Sequence, residues 1–266
     1  MFVIGSLVGS FLNVCIFRLP REQSIIRPRS RCPHCQHPIA WYDNLPLVSF
    51  LCLRGACRHC HRPIAWRYPA VEWLTGMMAV GTLSRFGVGP VGLAYAAFLA
   101  SLIAVSFIDL EFQIIPDEIS IGGMVLGLVV SVLVPALHGT DSRLLALGRS
   151  ALGVLVGGGV LYGTAMLGDF LFRRESMGGG DIKLMAMAGA IIGWKLTLLA
   201  FFVAPVLALL PGLLVLFLKR SHIIPYGPFL SLGLVASLFF GQDILRLTGM
   251  EDTIRLLIDY YRNAPR

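Results

Sequence analysis

Long apolar runs separated by short polar stretches dominate the chain, at about residues 1–17, 70–86, 90–108, 119–137, 144–172, 183–194, 195–218 and 228–241. About 20 apolar residues cross a bilayer as a helix, which satisfies its own backbone hydrogen bonds where water is absent. The pattern predicts an all-α polytopic membrane protein with about eight transmembrane helices. The first and sixth segments are short enough to be tilted, re-entrant or set in a thinned bilayer. One long interruption, residues 18–69, reads as a small folded insertion, and residues 242–266 as a short C-terminal tail. Within the runs, glycines recur at Gly5/Gly9, Gly123/Gly127 and Gly153/Gly157, a spacing that lets helix backbones touch, although glycine is also simply common in apolar helices.

Composition agrees. Mean hydropathy is +0.76 and only 14% of residues are charged, against about a quarter in a soluble domain. The opening MFVIGSLVGSFLNVCIF lacks a basic n-region, so it reads as a first span and not as a secretory signal. The net charge of +7 is uneven: nine arginines face only Glu22 and Asp43 between Arg18 and Tyr68. Beside a membrane span, the positive-inside rule explains this block more simply than nucleic acid does. With the insertion in the cytoplasm, the span count brings Asp109, the Arg173-Arg174 pair, Asp181 and the Lys219-Arg220 pair to the same side.

The insertion holds Cys32-x-x-Cys35 and Cys57-x-x-Cys60 within a repeat, CPHCQHPIAW and CRHCHRPIAW. Two such turns facing one another suit a structural four-thiolate zinc ion. A polar stretch of this length needs a staple, and thiols in a reducing compartment favour metal over disulfide. A redox pair or plain disulfides are the competing reading. His34, His37, His59 and His61 read as solvated or packing residues, and Cys15 and Cys52 as buried fillers.

Two aspartates at the edges of apolar runs carry the candidate chemistry: Asp109 in SFIDLEFQIIPDE and Asp181 in MGGGDIK. An ionisable group there is costly to keep, and two carboxyls brought together can share a proton and work as acid and base. Glu111, Asp117 and Glu118 compete with Asp109. Glu111, two residues on, would face elsewhere on a helix, and Asp117 after Pro116 suits a helix start. Gly178, Gly179 and Gly180 each weaken a helix by about 1 kcal/mol, predicting unwound backbone that admits an extended substrate, or else a plain loop with a capping Asp181. Lys183 and Glu175 are nearby candidates for supporting roles. No His-Glu-x-x-His, Gly-x-Ser-x-Gly or Walker-type sequence occurs.

Several stretches in order resemble the bacterial type IV prepilin peptidases, bifunctional leader peptidase/N-methyltransferases of pilus and type II secretion systems. They are GSFLNVCIFRLP (9–20), the paired Cys-x-x-Cys turns, WYDNLPLVSF (41–50), RYPAVEWLTG (67–76), FIDLEFQIIPD (107–117), MGGGDIKL (177–184) and IPYGPFL (224–230). The resemblance implies an aspartyl dyad of Asp109 and Asp181, beside which the local sequence offers Gly178, Gly180, Lys183, Glu175 and Glu111 as candidate supporting residues. It implies cleavage of prepilin or pseudopilin leaders at the cytoplasmic face of the inner membrane. It also implies N-methylation of the new N-terminus, usually Phe, from S-adenosylmethionine. The N-terminal half would serve that step, with Gly9, Asn13, Arg18, Asp43, Asn44 and Glu72 as supporters. On this reading residues 70–241 form the membrane aspartyl protease domain, and membrane lipids are partners of the basic insertion. A presenilin-like protease would leave the cysteine turns unexplained, a methyltransferase alone would not need Asp181, and a transporter could use the same acids for ion coupling.

Overall fold

The computed structural model describes residues 1–173, 177–219 and 225–247, and among them the regular elements are helices and two isolated bridges. The helices are α1 (Phe2–Arg18), α2 (Val48–Cys52), α3 (Arg67–Phe86), α4 (Pro90–Phe112), α5 (Asp117–Leu133), α6 (Arg143–Phe172), α7 (Gly179–Lys219) and α8 (Gly227–Leu247). Five segments are long and apolar enough to cross a membrane: Phe2–Arg21, Pro90–Phe112, Arg143–Phe172, Gly179–Leu209 and Gly227–Leu247. The protein is therefore all-α and multi-pass.

The expected eight segments correspond to helical rods of unequal character. α3 carries Arg67, Glu72 and Arg85 along its length, and α5 has only 17 residues. The sixth and seventh segments form the single element α7, broken at Gly193 (φ 77°, ψ 164°), a conformation glycine adopts without strain. Near the break the Ala190 carbonyl accepts from Ser150 Oγ at 2.7 Å, and His138 Nε2 lies 3.2 Å from it. α8 runs on to Leu247, into the expected tail, whose residues 248–266 lie outside the described ones.

α4 is the central rod. Its Ile103, Ala104 and Ile108 pack with Leu12 and Ile16 of α1 and Val71 of α3. Its Leu99, Leu102 and Val105 join Leu184 and Met187 of α7 and Leu230 and Leu234 of α8 in the larger core. Large apolar side chains such as Phe11, Leu126, Leu155, Phe170 and Phe240 stay exposed around the bundle, as a lipid solvent favours. The glycine pairs do sit at crossings. Gly153 and Gly189 are so close that a Cβ on either would collide with the other's carbonyl oxygen. A Cβ on Gly5 would lie 2.9 Å from Gly76 Cα, and one on Gly127 2.9 Å from Ala190 Cβ.

Candidate active site

The ends of α4, α7 and α8 converge at one end of the bundle. α4 terminates because Gln113 turns left-handed (φ 56°) and its N–H returns to the Asp109 carbonyl at 2.9 Å. That leaves Asp109 in the last turn, 7% exposed, with Oδ2 accepting the Gly227 N–H at 2.9 Å. Only glycine fits opposite it: a Cβ at residue 227 would stand 2.8 Å from Oδ2. Asp181 occupies the first turn of α7, where its N–H donates to the Gly178 carbonyl at 3.2 Å. The two carboxylates are near enough for Asp181 to feel the charge of Asp109. Tyr226, just ahead of α8, has its phenol pushed up to about 12 by burial and then by the Asp181 charge.

Sequence reasoning quoted the Tyr226-Gly227 stretch without nominating either residue. An aromatic, a glycine and a proline immediately before an apolar run mark a helix start there, but not its contact with Asp109.

The neighbouring candidates divide. Glu111 turns away from Asp109, as helical spacing requires, and pairs with Arg67 Nη1 at 2.5 Å. Lys183 holds Asp117 at 2.7 Å. Asp117 is the first residue of α5 and binds that lysine; its side chain does not cap the helix. The glycine run is less unwound than expected: Gly178 is non-helical, but Gly179 and Gly180 already belong to α7. The glycine at 180 serves close packing instead, since a Cβ there would lie 2.9 Å from Ile115 Cβ. Glu175 falls outside the described residues.

The cysteine turns repeat in space as they do in sequence. Cys32 N–H donates to His37 O at 3.0 Å and Cys57 N–H to Arg62 O at 2.9 Å, each turn closing through a left-handed residue, Gln36 or His61. The turns face one another, with His37 and His59 rings 3.6 Å apart. The sulfurs of Cys32, Cys35, Cys57 and Cys60 all lie within 4.8 Å of one another, and no disulfide joins them. Cys32 and Cys60 Sγ are separated by 3.8 Å. A tetrahedron with Zn–S bonds of about 2.3 Å has edges of about 3.8 Å, so the donor set fits zinc. Cys15 is buried as expected, but Cys52 is exposed, because it closes the short α2 on the outer side of the insertion.

Between this insertion and the bundle lies a cavity of about 790 Å³. Its lining includes Asn13, Arg18, Asp43, Asn44 and Glu72, five of the six residues expected to support methyl transfer. Gly9, the sixth, lies behind the wall, where a Cβ would come 2.7 Å from Glu72 Cα. Asp43 is held by Arg58 (2.5 Å), which keeps its carboxyl below the ordinary range. Arg18 is turned onto the carbonyls of Ser24 and Pro28 at 2.8 and 2.7 Å.

Residues 3–86 match the family described as Bacterial Peptidase A24 N-terminal domain, and residues 96–213 the Type IV leader peptidase family. The prepilin leader peptidase/N-methyltransferase of Myxococcus xanthus (strain DK1622) is 41% identical over 81% of this chain and 62% of its own length. That of Burkholderia pseudomallei (strain 1026b) is 35% identical over 93% of this chain and 86% of its own. That of Aeromonas hydrophila is 33% identical over 92% and 91%. The chain thus spans a little under two thirds of the first relative and most of the other two. No solved structure matches it. With this similarity running through the segments of Asp109 and Asp181 and through the cysteine turns, the chain belongs to the prepilin leader peptidase/N-methyltransferase family.

Proposed function

We propose that this protein is a membrane aspartyl endopeptidase. It removes the leader of type IV prepilins or pseudopilins at the cytoplasmic face of the bacterial inner membrane, then N-methylates the new N-terminal residue. The observation that carries this reading is the approach of Asp109 and Asp181 where α4 ends and α7 and α8 begin. One carboxylate, ionised, takes a proton from water held between the pair. The other, protonated, donates to the scissile carbonyl oxygen as the tetrahedral centre forms. One proton is shared by two carboxyls, so they titrate as a unit. Gly227 positions Asp109 through its N–H, and Gly180 lets the start of α7 pack closely on Ile115 beside Asp181.

The remaining assignments follow from this orientation. α3, α5 and both halves of α7 complete eight spans, and residues 70–241 form the protease domain. The four thiolates hold a structural zinc ion that folds residues 18–69. Arginines of the insertion meet anionic lipid headgroups. S-adenosylmethionine would take this cavity, whose volume suits a ligand of that size, with Asn44 contacting it directly and Arg18 and Asp43 contributing beyond their bonds to Ser24, Pro28 and Arg58. When bound, it supplies an electrophilic methyl group for an amine.

The test is mass spectrometry of a prepilin co-expressed with wild type, Asp109→Asn, Asp181→Asn or Cys32→Ser. Wild type should yield shortened, methylated product, and both Asp variants should leave the leader attached. Processed prepilin from either Asp variant would overturn the dyad.

A further inference from the structure

Two of the residues that line the cavity each keep a polar atom without a partner just beneath its surface: Asn13 Oδ1, an acceptor, and Arg67 Nε, a donor. Orphaned buried polar atoms are few in folded proteins, and each asks what satisfies it. Asn13 is only 3% exposed. Its orientation is fixed, because Nδ2 faces two carbonyls, Tyr68 O at 3.1 Å and Gly9 O at 3.4 Å, which an inverted amide would repel. Oδ1 is therefore left over by geometry. Arg67 spends Nη1 on both Glu111 oxygens, leaving Nε bare.

Glu72 lies one turn along α3 from Tyr68, 9% exposed, and also lines the cavity. Its Oε2 accepts the N–H of Leu47, a non-glycine residue held at φ 62°. A loop pinned in that conformation against a buried carboxylate marks a shaped site. A carboxylate has about four acceptor positions, so Glu72 keeps capacity for a ligand donor.

We propose that Asn13, Glu72 and Arg67 form the subsite that grips the free N-terminus of the cleaved substrate. Asn13 Oδ1 and the Glu72 carboxylate accept from its α-amino group, and Arg67 Nε donates to its first carbonyl. This assignment rests on the N-methyltransferase reading above. The shared chemistry is an α-amino group beside a carbonyl, which the methionyl end of S-adenosylmethionine also offers. Position favours the substrate: the partner of Arg67 is Glu111, in the same last turn of α4 as Asp109, which ties the subsite to the end of the bundle that carries the aspartates.

The experiment measures binding to the detergent-solubilised full chain. The probes are a synthetic peptide beginning with Phe, its N-acetylated form, S-adenosylmethionine, and methylthioadenosine, which lacks the amino-acid end. Wild type should prefer the free peptide. Asn13→Leu should weaken that peptide roughly tenfold, the scale of one hydrogen bond to a charged group, and leave the other three probes unchanged. Arg67→Lys keeps a cation for Glu111 but removes Nε–H, and should weaken both peptides severalfold. Zinc content and prepilin cleavage report whether each variant has folded, and the arginine variant carries the test if Asn13→Leu has not. Equal binding of both peptides by wild type overturns the proposal. So does a loss confined to S-adenosylmethionine, which would assign the subsite to the methyl donor. Selective peptide binding by a wild type that never methylates a cleaved prepilin would instead sink the parent reading and leave the subsite standing.

Discussion

Gly227→Ala tests the site through a residue that does no chemistry. The added methyl would stand 2.8 Å from Asp109 Oδ2, 3.1 Å from Cγ and 3.2 Å from Cβ, where ordinary contact begins at 3.4 Å. Relief requires a shift of about 0.6 Å between α8 and the end of α4, two elements packed in the main core. The same shift stretches the 2.9 Å bond from Gly227 N–H to Asp109. A hydrogen bond to a charged group contributes about 1.5–3 kcal/mol, and overpacking costs about 1–3 kcal/mol. About 2 kcal/mol lost from positioning Asp109 lowers kcat roughly 30-fold. The assay is leader cleavage of a purified prepilin in liposomes, with kcat and KM separated and thermal unfolding followed in parallel. We expect a fall in kcat, little change in KM and a lower Tm. Wild-type kcat in Gly227→Ala would refute the argument that the α8 start holds the dyad.

Three further outcomes follow from other parts of the molecule. Removing metal by chelation, or Cys57→Ser, should abolish hydrogen-exchange protection in residues 30–64 while α4 and α7 stay protected, because the two turns share one staple; unchanged protection without zinc would contradict it. Arg58 depresses the Asp43 carboxyl, so its stabilisation is present above the unfolded value near about 4 and is lost as pH falls through the folded one. Arg58→Gln should therefore alter only the acid limb of Tm against pH, and an identical acid limb would count against the pair. Gly153→Leu should prevent α6 and α7 from meeting, since even a methyl collides with the Gly189 carbonyl, and recovery of folded protein at the wild-type Tm would argue that the crossing is looser.

Much of this architecture was legible because bilayer burial writes itself into composition. The apolar runs located α1, α4, α6 and α8 closely, and the duplicated Cys-x-x-Cys turns gave the thiolate cluster. Helical geometry alone separated Glu111 from Asp109. What the sequence hid depended on partners from remote segments. Nothing local marks Gly227 as the donor to Asp109, Ile115 as the close neighbour of Gly180, or Lys183 as the mate of Asp117. The break at Gly193 showed in the sequence as the division of the apolar stretch at 194/195, but which of the 29 glycines makes it shows only in its φ of 77°.

α4 packs against α1 and α3 on one side and α7 and α8 on the other, and through Glu111 it holds Arg67. This sets the order of biogenesis. As the chain emerges from the ribosome, α1, the insertion and α3 come first, so Arg67 is made before its partner Glu111. Only when α4 follows does that charge find its mate and the apolar stripe of Leu12, Ile16 and Val71 find its cover. The same rod then offers Asp109 to helices still unsynthesised. α4 is thus the step at which the early half of the protein becomes committed to the late half.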